Sequence, residues 1–232
     1  MNLTLDQKVI TVQPGQSLLD LIRQEELDCR QLSARPLAAK IAGEVFTLNY
    51  VPLRQKDVDS DRPSMRRAMA ASQGQVQLLR YRDPAGKECY IRTAQFVIFL
   101  AMRQLWPEAR TKMNCTLGSS VYFQVADCDD FSARKLRQRM VQLVEQNIPL
   151  IRRRVPLEQA LERYTREGQL DKARLLQWRQ VDYFDEYAYG EFADYYYGEM
   201  MPSTGYLQNW DIRSAEDGFI FVYPDDQNPD VI

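Results

Sequence analysis

The sequence of 232 residues contains no histidine. Histidine is the most frequent general acid and base of enzymes, it is the base of Ser-His-Asp and Cys-His catalysis, and it is a common zinc ligand. These kinds of site are therefore excluded from within this polypeptide. Where a reaction needs a general base, the sequence offers a carboxylate.

Motifs that cradle phosphate are also missing. None of the ten glycines falls in a GxxxxGK[ST] P-loop or a GxGxxG fingerprint, and the pair Gly86-Lys87 is followed by Glu88 in a predicted turn. These residues have no visible means of holding a triphosphate, so they cannot carry phosphoryl transfer. Neighbouring acids such as Asp129-Asp130 are more typical of a surface than of a catalytic pair.

Long apolar runs and paired cysteines are lacking as well. No stretch approaches the roughly 18 apolar residues of a membrane span, and the alternating start MNLTLDQKVITV does not look like a secretory signal. We expect a cytoplasmic protein with no membrane contact. The four cysteines form no CxxC pair, so we expect reduced and mostly buried thiols.

Charge is present but unevenly distributed along a chain whose net charge is −2. Bases exceed acids by seven in residues 131–180, and acids exceed bases by eleven in residues 181–232. Internal pairing is the simplest interpretation of such segments. The alternative is a surface for RNA, for which the candidates are Lys135, Arg137, Arg139 and Arg152 to Arg154.

Hydrophobic periodicity predicts a small β-grasp module in residues 1–56. Residues 2–12 alternate like two strands joined at Asp6-Gln7, and Ser17 is placed to cap a short helix. The segment LAAKIAGEVFTLNYVPL predicts two more strands that turn near Ala42-Gly43. The order strand, strand, helix, strand, strand is typical of a β-grasp.

Residues 57–232 predict a larger α+β domain with helices packed on antiparallel strands. The predicted elements are a short helix at 64–72, a strand, turn and strand in VQLLRYRDPAGKECYI, a buried helix at 93–106, a hairpin around Gly118, a helix at 133–146 capped by Ser132, two short helices separated by Gly168, and strands in the aromatic C-terminal part. The whole chain therefore predicts an α+β fold.

Four stretches carry a resemblance to a known family. They are the β-grasp pattern of 8–53, RQLWPEA at 103–109, RMVQLVEQNIPLIRRRVPLEQALERY at 139–164 and FADYYYGEMMPSTGYLQNWDIR at 192–213. Together they resemble the TGS domain and the second additional domain of threonyl-tRNA synthetase, an editing domain like that of alanyl-tRNA synthetase. The words PSTGYL and DIR resemble more closely the same two modules at the front of bacterial uridine kinases.

The resemblance implies where a zinc site of the synthetases would lie. Their HxxxH pair aligns with Arg92 and Phe96, and their CxxxH pair aligns with Tyr196 and Met200. These side chains cannot hold zinc, because three are poor ligands and the fourth is a cation. Asp194 matches an aspartate of the editing pocket, and we expect it to form an ion pair with Arg92.

A remodelled pocket without metal follows from this alignment. We expect it to bind a small ligand such as a nucleoside or nucleotide, with aromatic rings stacking on the ligand and Arg92 contacting an anionic group. The candidate ligand-binding residues are Arg92, Phe96, Asp194, Tyr196, Tyr197 and Met200. Core packing is the competing explanation for the aromatic residues.

The resemblance implies a noncatalytic accessory or regulatory region of a uridine-kinase-like (nucleoside kinase) protein, active in ligand binding or assembly. The kinases carry their P-loop domain after the point where this chain stops, so we expect no cofactor here; ATP and Mg would belong to such a domain. One alternative is a metal-independent hydrolase of the aminoacyl-tRNA editing type with Asp194 as base. The others are an RNA-binding module and a homo-oligomer formed through the β-grasp edge.

Overall fold

The structure is a computed structural model that describes residues 2–52 and 74–232. This part of the chain is mixed α+β, with five α-helices and twelve strands in three sheets, which confirms the predicted fold class. The chain forms two compact units, residues 1–149 with 198–232 and residues 150–197. The predicted helix at 64–72 and the domain boundary at residue 56 lie outside the described residues.

The first sheet of the larger unit confirms the predicted N-terminal order of elements. Its elements are β1 (Asn2–Leu5), β2 (Lys8–Thr11), α1 (Leu18–Gln24), β3 (Ala38–Ile41), β4 (Glu44–Phe46) and β5 (Gln75–Leu79). Asp6 turns the chain between β1 and β2 with a φ of 50°. Ser17 caps α1 in a capping box with Asp20, so that each side chain accepts a hydrogen bond from the other residue's backbone N–H.

Strand β5 lies in the middle of this sheet, whose order is β2-β1-β5-β3-β4. It runs parallel to β1 and antiparallel to β3. Beyond the end of β1, the Asp6 carboxylate accepts hydrogen bonds next to β5. Its Oδ1 accepts one from the backbone N–H of Leu78 (2.8 Å), and its Oδ2 accepts one from the guanidinium of Arg80 (2.9 Å). The sheet of the predicted N-terminal module therefore includes a strand from beyond residue 56.

Helix α2 (Pro84–Leu105) begins nine residues before the helix predicted from the sequence. The strand predicted over KECYI is wrong, because Pro84 stands in the first turn, where its fixed φ favours a helix and its missing N–H costs nothing. Asp83 precedes it as N-cap residue, and its carboxylate accepts the N–H of Arg80 (2.7 Å). The predicted burial of this helix is confirmed, since eleven of its residues are buried.

The second sheet of the larger unit has the order β11-β12-β7-β6. Its strands and the neighbouring helix are β6 (Arg110–Thr116), β7 (Ser120–Ala126), α3 (Ala133–Glu145), β11 (Asp211–Ala215) and β12 (Gly218–Val222). The predicted hairpin at Gly118 (φ 58°) and the predicted cap of α3 by Ser132 are confirmed. Phe123 stacks on Phe219 with ring centres 5.0 Å apart, which places the core on this sheet.

The PSTGYL segment forms a 3₁₀ turn at Thr204–Tyr206 that has a packing role within the larger unit. The Thr204 hydroxyl donates to the carbonyl of Leu143 (2.6 Å) and accepts the N–H of Ile148 (2.9 Å). The Tyr206 hydroxyl donates to Asp28 (2.8 Å). The turn thus connects the end of α3 to the N-terminal part of the unit.

The smaller unit is a three-stranded antiparallel sheet of order β10-β9-β8 with two helices. Its elements are β8 (Arg152–Pro156), α4 (Leu157–Arg166), α5 (Leu170–Gln177), β9 (Tyr183–Tyr189) and β10 (Phe192–Asp194). Gly168 (φ 69°) separates the helices as predicted. A compact cluster of Ala160, Tyr164, Ala173, Leu176 and Phe184 forms the core.

The predicted internal pairing of charges is confirmed. In the smaller unit Glu186 is fully buried between Arg153 and Arg163, and Arg154 pairs with Asp185 (3.0 Å). A buried carboxylate needs such partners, because an unpaired one is costly to desolvate. Two arginines of the predicted RNA surface, Arg153 and Arg154, are therefore paired with carboxylates of the same unit.

The cysteines differ from the prediction in their burial. All four are free, yet only Cys89 is buried; Cys115 is exposed and the other two are half-buried. The expectation was wrong because a short polar turn or an edge strand leaves even an apolar thiol in contact with solvent. None of the helices in the described ranges is long and apolar enough to cross a membrane.

The hydrogen bonds of Thr204 predict a stability effect. Replacing Thr204 by Val keeps the shape but leaves the Ile148 N–H and the Leu143 carbonyl without this partner, so we expect a loss of about 2 to 4 kcal/mol in the free energy of unfolding. Urea titration followed by circular dichroism measures this change. Thr116→Val, on an exposed strand, is the control and should change stability by less than about 0.5 kcal/mol. Equal stability of the two variants would contradict the role assigned to the turn.

Candidate functional site

The six predicted site residues are divided between the two units. Arg92, Phe96 and Met200 belong to the larger unit, and Asp194, Tyr196 and Tyr197 belong to the smaller one.

Arg92 is held in a fixed position on α2. Its guanidinium forms an ion pair with Glu88 one turn earlier (2.6 Å) and donates to the carbonyl of Glu199 (3.2 Å). It also lies directly against Gly198, where a Cβ atom would come within 2.7 Å of the Arg92 Cζ. The backbone at Gly198 has a φ of 114°, which only glycine adopts readily. The counterion of Arg92 is therefore Glu88, whereas the sequence predicted Asp194.

Phe96 and Met200 are both fully buried. The segment that carries Met200 is fastened to α2 through Thr93, whose hydroxyl donates to the Cys89 carbonyl (2.8 Å) and accepts the N–H of Met201 (3.0 Å). The burial of Phe96 and Met200 agrees with core packing, the competing explanation for the candidate residues, and not with contact to a ligand in an open pocket.

Cys89 is the thiol nearest to Arg92 in this environment. Burial raises its pKa to about 12, and the positive charge of Arg92 opposes this rise only in part. The thiol therefore stays protonated at neutral pH, and a protonated thiol is a poor nucleophile and a poor metal ligand.

Asp194 is the centre of a polar cluster in the smaller unit. Its Oδ1 accepts a hydrogen bond from the Lys172 ammonium (2.6 Å) and from the backbone N–H of Tyr195 (2.7 Å). The Asp194 side chain is 12% exposed and that of Lys172 is 42% exposed. The second oxygen, Oδ2, accepts no hydrogen bond from any described residue, so it is available to water or to a ligand.

Two buried tyrosines complete this group, which we call the Asp194 cluster: Tyr164, Lys172, Asp194 and Tyr196. The Lys172 ammonium lies 5.5 Å from the centre of the Tyr164 ring. Burial first, and then the charge of Asp194, raises the pKa of both tyrosines well above the ordinary value. Their hydroxyls are therefore neutral and able to donate. By contrast Tyr197 is 85% exposed.

Lys172 and Tyr164 were missed in the sequence. Lys172 lies 22 residues before Asp194 and on a different element, so no local spacing connects them. A helical pattern identifies Tyr164 as a core residue, but it does not show that the ring lies beside a carboxylate. Only the fold of α4, α5 and β10 brings these side chains together.

The chemistry of the Asp194 cluster follows from its donors and acceptors. It combines a cation, a carboxylate with one available oxygen, and two neutral hydroxyls. Such a set can activate a water molecule through the carboxylate and bind an ester carbonyl through the lysine. Within residues 2–52 and 74–232, no three Cys, Asp or Glu side chains converge as metal ligands would.

Comparison with known proteins finds similarity to threonine–tRNA ligases. The chain is 25% identical to that of Clostridium kluyveri over 202 residues, which is 85% of this chain and 28% of the relative. It is 24% identical to that of Clostridium tetani over 216 residues, which is 90% of this chain and 30% of the relative. No protein-family model matches the chain.

This similarity is weak in identity but extends over most of the chain. The chain itself spans less than a third of the length of these ligases. The homology is consistent with an α+β region of the editing type and supports the synthetase part of the predicted resemblance. The links to uridine kinases and to a TGS domain stay predictions.

The contact between Gly198 and Arg92 predicts the effect of adding one methyl group. In Gly198→Ala the new Cβ meets the guanidinium and the φ of 114° becomes strained, so we expect a loss of about 2 to 4 kcal/mol in the free energy of unfolding. Gly118→Ala is the control, because its φ is 58° and open space surrounds it; it should cost about 1 to 2 kcal/mol.

The double variant Gly198→Ala with Arg92→Ala separates the two causes. Removing the guanidinium relieves the clash but not the backbone strain. The double variant should therefore lose less free energy of unfolding than the two single variants lose together. Strict additivity would show that Arg92 does not pack on Gly198.

Proposed function

We propose that this chain is a module of the aminoacyl-tRNA editing type that binds an aminoacyl ester and promotes its hydrolysis without a metal ion. The observation that carries the proposal is the Asp194 cluster, which has a base and a cation in contact. Support comes from the similarity to threonine–tRNA ligases, proteins named for joining threonine to tRNA. The absence of histidine leaves a carboxylate as the base.

Each group of the cluster has a role in this reaction. Asp194 Oδ2 accepts a proton from a water molecule as the water oxygen forms a bond to the ester carbonyl carbon. Lys172 donates to the carbonyl oxygen, where negative charge develops. When the bond to the ribose oxygen breaks, that oxygen takes up the proton from Asp194. The products are a free amino acid and an uncharged ribose hydroxyl.

Two of the predicted site residues, Asp194 and Tyr196, fit this role. Asp194 carries the base, and Tyr196 is a buried neutral hydroxyl beside it. Lys172 keeps the carboxylate in place, since Oδ1 is occupied by its ammonium and by the Tyr195 N–H. A carboxylate oriented in this way has one oxygen directed to the reaction and one to the protein.

Hydrolysis of charged tRNA tests the proposal. Threonyl-tRNA and seryl-tRNA, whose amino acids differ by one methyl group, are incubated with the protein, and release of the amino acid is measured. We expect release faster than in buffer and a loss of about 10² to 10⁴ in rate for Asp194→Asn. Asp171→Asn, an exposed carboxylate on α5, is the matched control and should leave the rate unchanged.

A chelator provides an independent measurement. EDTA should leave the rate unchanged, because no metal takes part. Release at the rate of buffer alone with both substrates would refute the hydrolytic role. Full inhibition by EDTA would refute the metal-independent mechanism.

We also propose a noncatalytic alternative, in which the chain is the accessory region of a uridine-kinase-like protein and binds a nucleoside or nucleotide near Arg92. Its support is the sequence resemblance of PSTGYL and DIR, together with the fixed guanidinium of Arg92, which Glu88 and Gly198 hold against α2. A guanidinium held in place is well suited to a phosphate group.

Thermal stability distinguishes this second role. Uridine monophosphate at a hundredfold excess over its Kd should stabilise the protein by about 2.7 kcal/mol, which corresponds to roughly 5 to 11 °C in Tm for a chain of this size. Arg92→Ala should remove the shift, whereas Arg103→Ala, an exposed arginine on the same helix, should keep it. No shift for the unchanged protein, or an equal shift for both variants, would contradict nucleotide binding at Arg92.

A further inference from the structure

The hydroxyl of Tyr164 is a buried polar group of the smaller unit to which the proposed function assigns no role. The Tyr164 side chain is fully buried in the core cluster, and its ring meets Phe184 edge to face with ring centres 6.0 Å apart. The hydroxyl oxygen has no hydrogen-bond partner among the described residues. An unsatisfied hydroxyl in a protein interior is costly, so such a group points to a bound molecule that satisfies it.

The proton of this hydroxyl needs an acceptor, and the neighbouring arginine cannot be one. The Arg163 guanidinium lies 5.1 Å from the centre of the Tyr164 ring, but an arginine side chain only donates hydrogen bonds. The Nη atoms of Arg163 donate to Glu186, which also accepts from Arg153. Both oxygens of the Glu186 carboxylate are therefore already occupied.

Asp194 has a carboxylate oxygen that is available as the acceptor. Its Oδ1 accepts from Lys172 and from the N–H of Tyr195, whereas its Oδ2 accepts from no described residue. The Lys172 ammonium lies 2.6 Å from Oδ1 and 5.5 Å from the centre of the Tyr164 ring, so it connects the two groups. Burial raises the pKa of Tyr164 most, and among the charged groups Asp194 has the largest effect. The carboxylate is thus near the hydroxyl, yet the two are not directly hydrogen-bonded.

We propose that a water molecule lies between the Tyr164 hydroxyl and Asp194 Oδ2, and that this water is the nucleophile of the proposed hydrolysis. The Tyr164 O–H donates to the water oxygen, and the water donates one of its protons to Oδ2. A lone pair of the water oxygen is then left for the ester carbonyl carbon. A buried water needs polar partners, and here the protein supplies a donor and an acceptor. The reaction step rests on the proposed function, whereas the site rests on the two atoms that would hold the water.

The proton balance gives the two residues different roles. As the water oxygen forms its bond to the carbonyl carbon, the proton directed to Oδ2 passes to Asp194, and it goes to the ribose oxygen when the ester bond breaks. Tyr164 keeps its own proton, because burial holds the pKa of its hydroxyl above the ordinary value. Asp194 is therefore the base, and Tyr164 fixes the position of the water.

The rate of hydrolysis by Tyr164→Phe tests the role of the water. This change removes only the hydroxyl, so the water loses one of its two partners while the ester keeps its contacts. We expect kcat to fall by about ten- to a hundredfold and KM to change by less than about twofold. Tyr189→Phe is the matched control, an exposed tyrosine on β9 of the same unit, and it should retain both constants. An unchanged kcat in Tyr164→Phe would overturn the inference and leave the role of Asp194 intact.

Thermal unfolding and crystallography test the site without any substrate. If the hydroxyl binds water, Tyr164→Phe loses a hydrogen bond and Tm should fall by about 2 to 4 °C, whereas removal of an unsatisfied hydroxyl would raise Tm. A crystal structure should show a water oxygen within about 2.6 to 3.2 Å of both Tyr164 Oη and Asp194 Oδ2. A rise in Tm, or no water at this place, would overturn the site. With the water present, a lack of hydrolysis by the unchanged protein would refute the proposed function and with it the water's part as nucleophile.

Discussion

The closure of the chain at Pro149 and Ser203 is the constraint on which the larger unit depends. The chain leaves this unit after Pro149 and returns at Gly198, and an isolated antiparallel bridge pairs Pro149 with Ser203. Hydrogen bonds on both sides secure the return: Thr93 binds the N–H of Met201, and Thr204 binds Leu143 and Ile148. Buried polar groups that are all satisfied in one arrangement favour that arrangement over its alternatives. The 48 residues of the smaller unit can thus be inserted without opening the core.

This constraint also explains the unusual composition of the segment that closes the unit. A turn that lies against a helix needs short hydroxyl side chains to reach backbone groups, and it needs a glycine where a side chain would clash. Thr204 provides the first, and Gly205 provides the second, since a Cβ there would come within 2.3 Å of Asn147 Oδ1. The run of Ser, Thr, Gly and Tyr in this segment therefore has a structural explanation.

Local sequence patterns predicted many of the caps and turns of the fold. The pairing of strands that are distant in the sequence could not be predicted in this way. Ser17, Ser132, Gly118 and Gly168 mark caps and turns, and each lies where the structure has one. The central position of β5 could not be predicted, because its partners β1 and β3 precede it by tens of residues and the pairing leaves no periodic trace. For the same reason the alignment identified Asp194 but not Lys172. The strand predicted at KECYI is wrong for a different reason, because Pro84 begins a helix that includes these residues.

The ion pairs of the smaller unit show how charged residues that stabilise a fold can be distinguished from those that form a binding surface. The excess of seven bases in residues 131–180 suggested a polyanion site, yet Arg153 and Arg163 neutralise the buried Glu186 and Arg154 neutralises Asp185. An arginine that pairs with a buried carboxylate such as Glu186 would leave that carboxylate unpaired if it bound a phosphate instead, and an unpaired buried charge is costly. The arginines of β8 therefore say more about how the smaller unit stabilises Glu186 and Asp185 than about a binding partner.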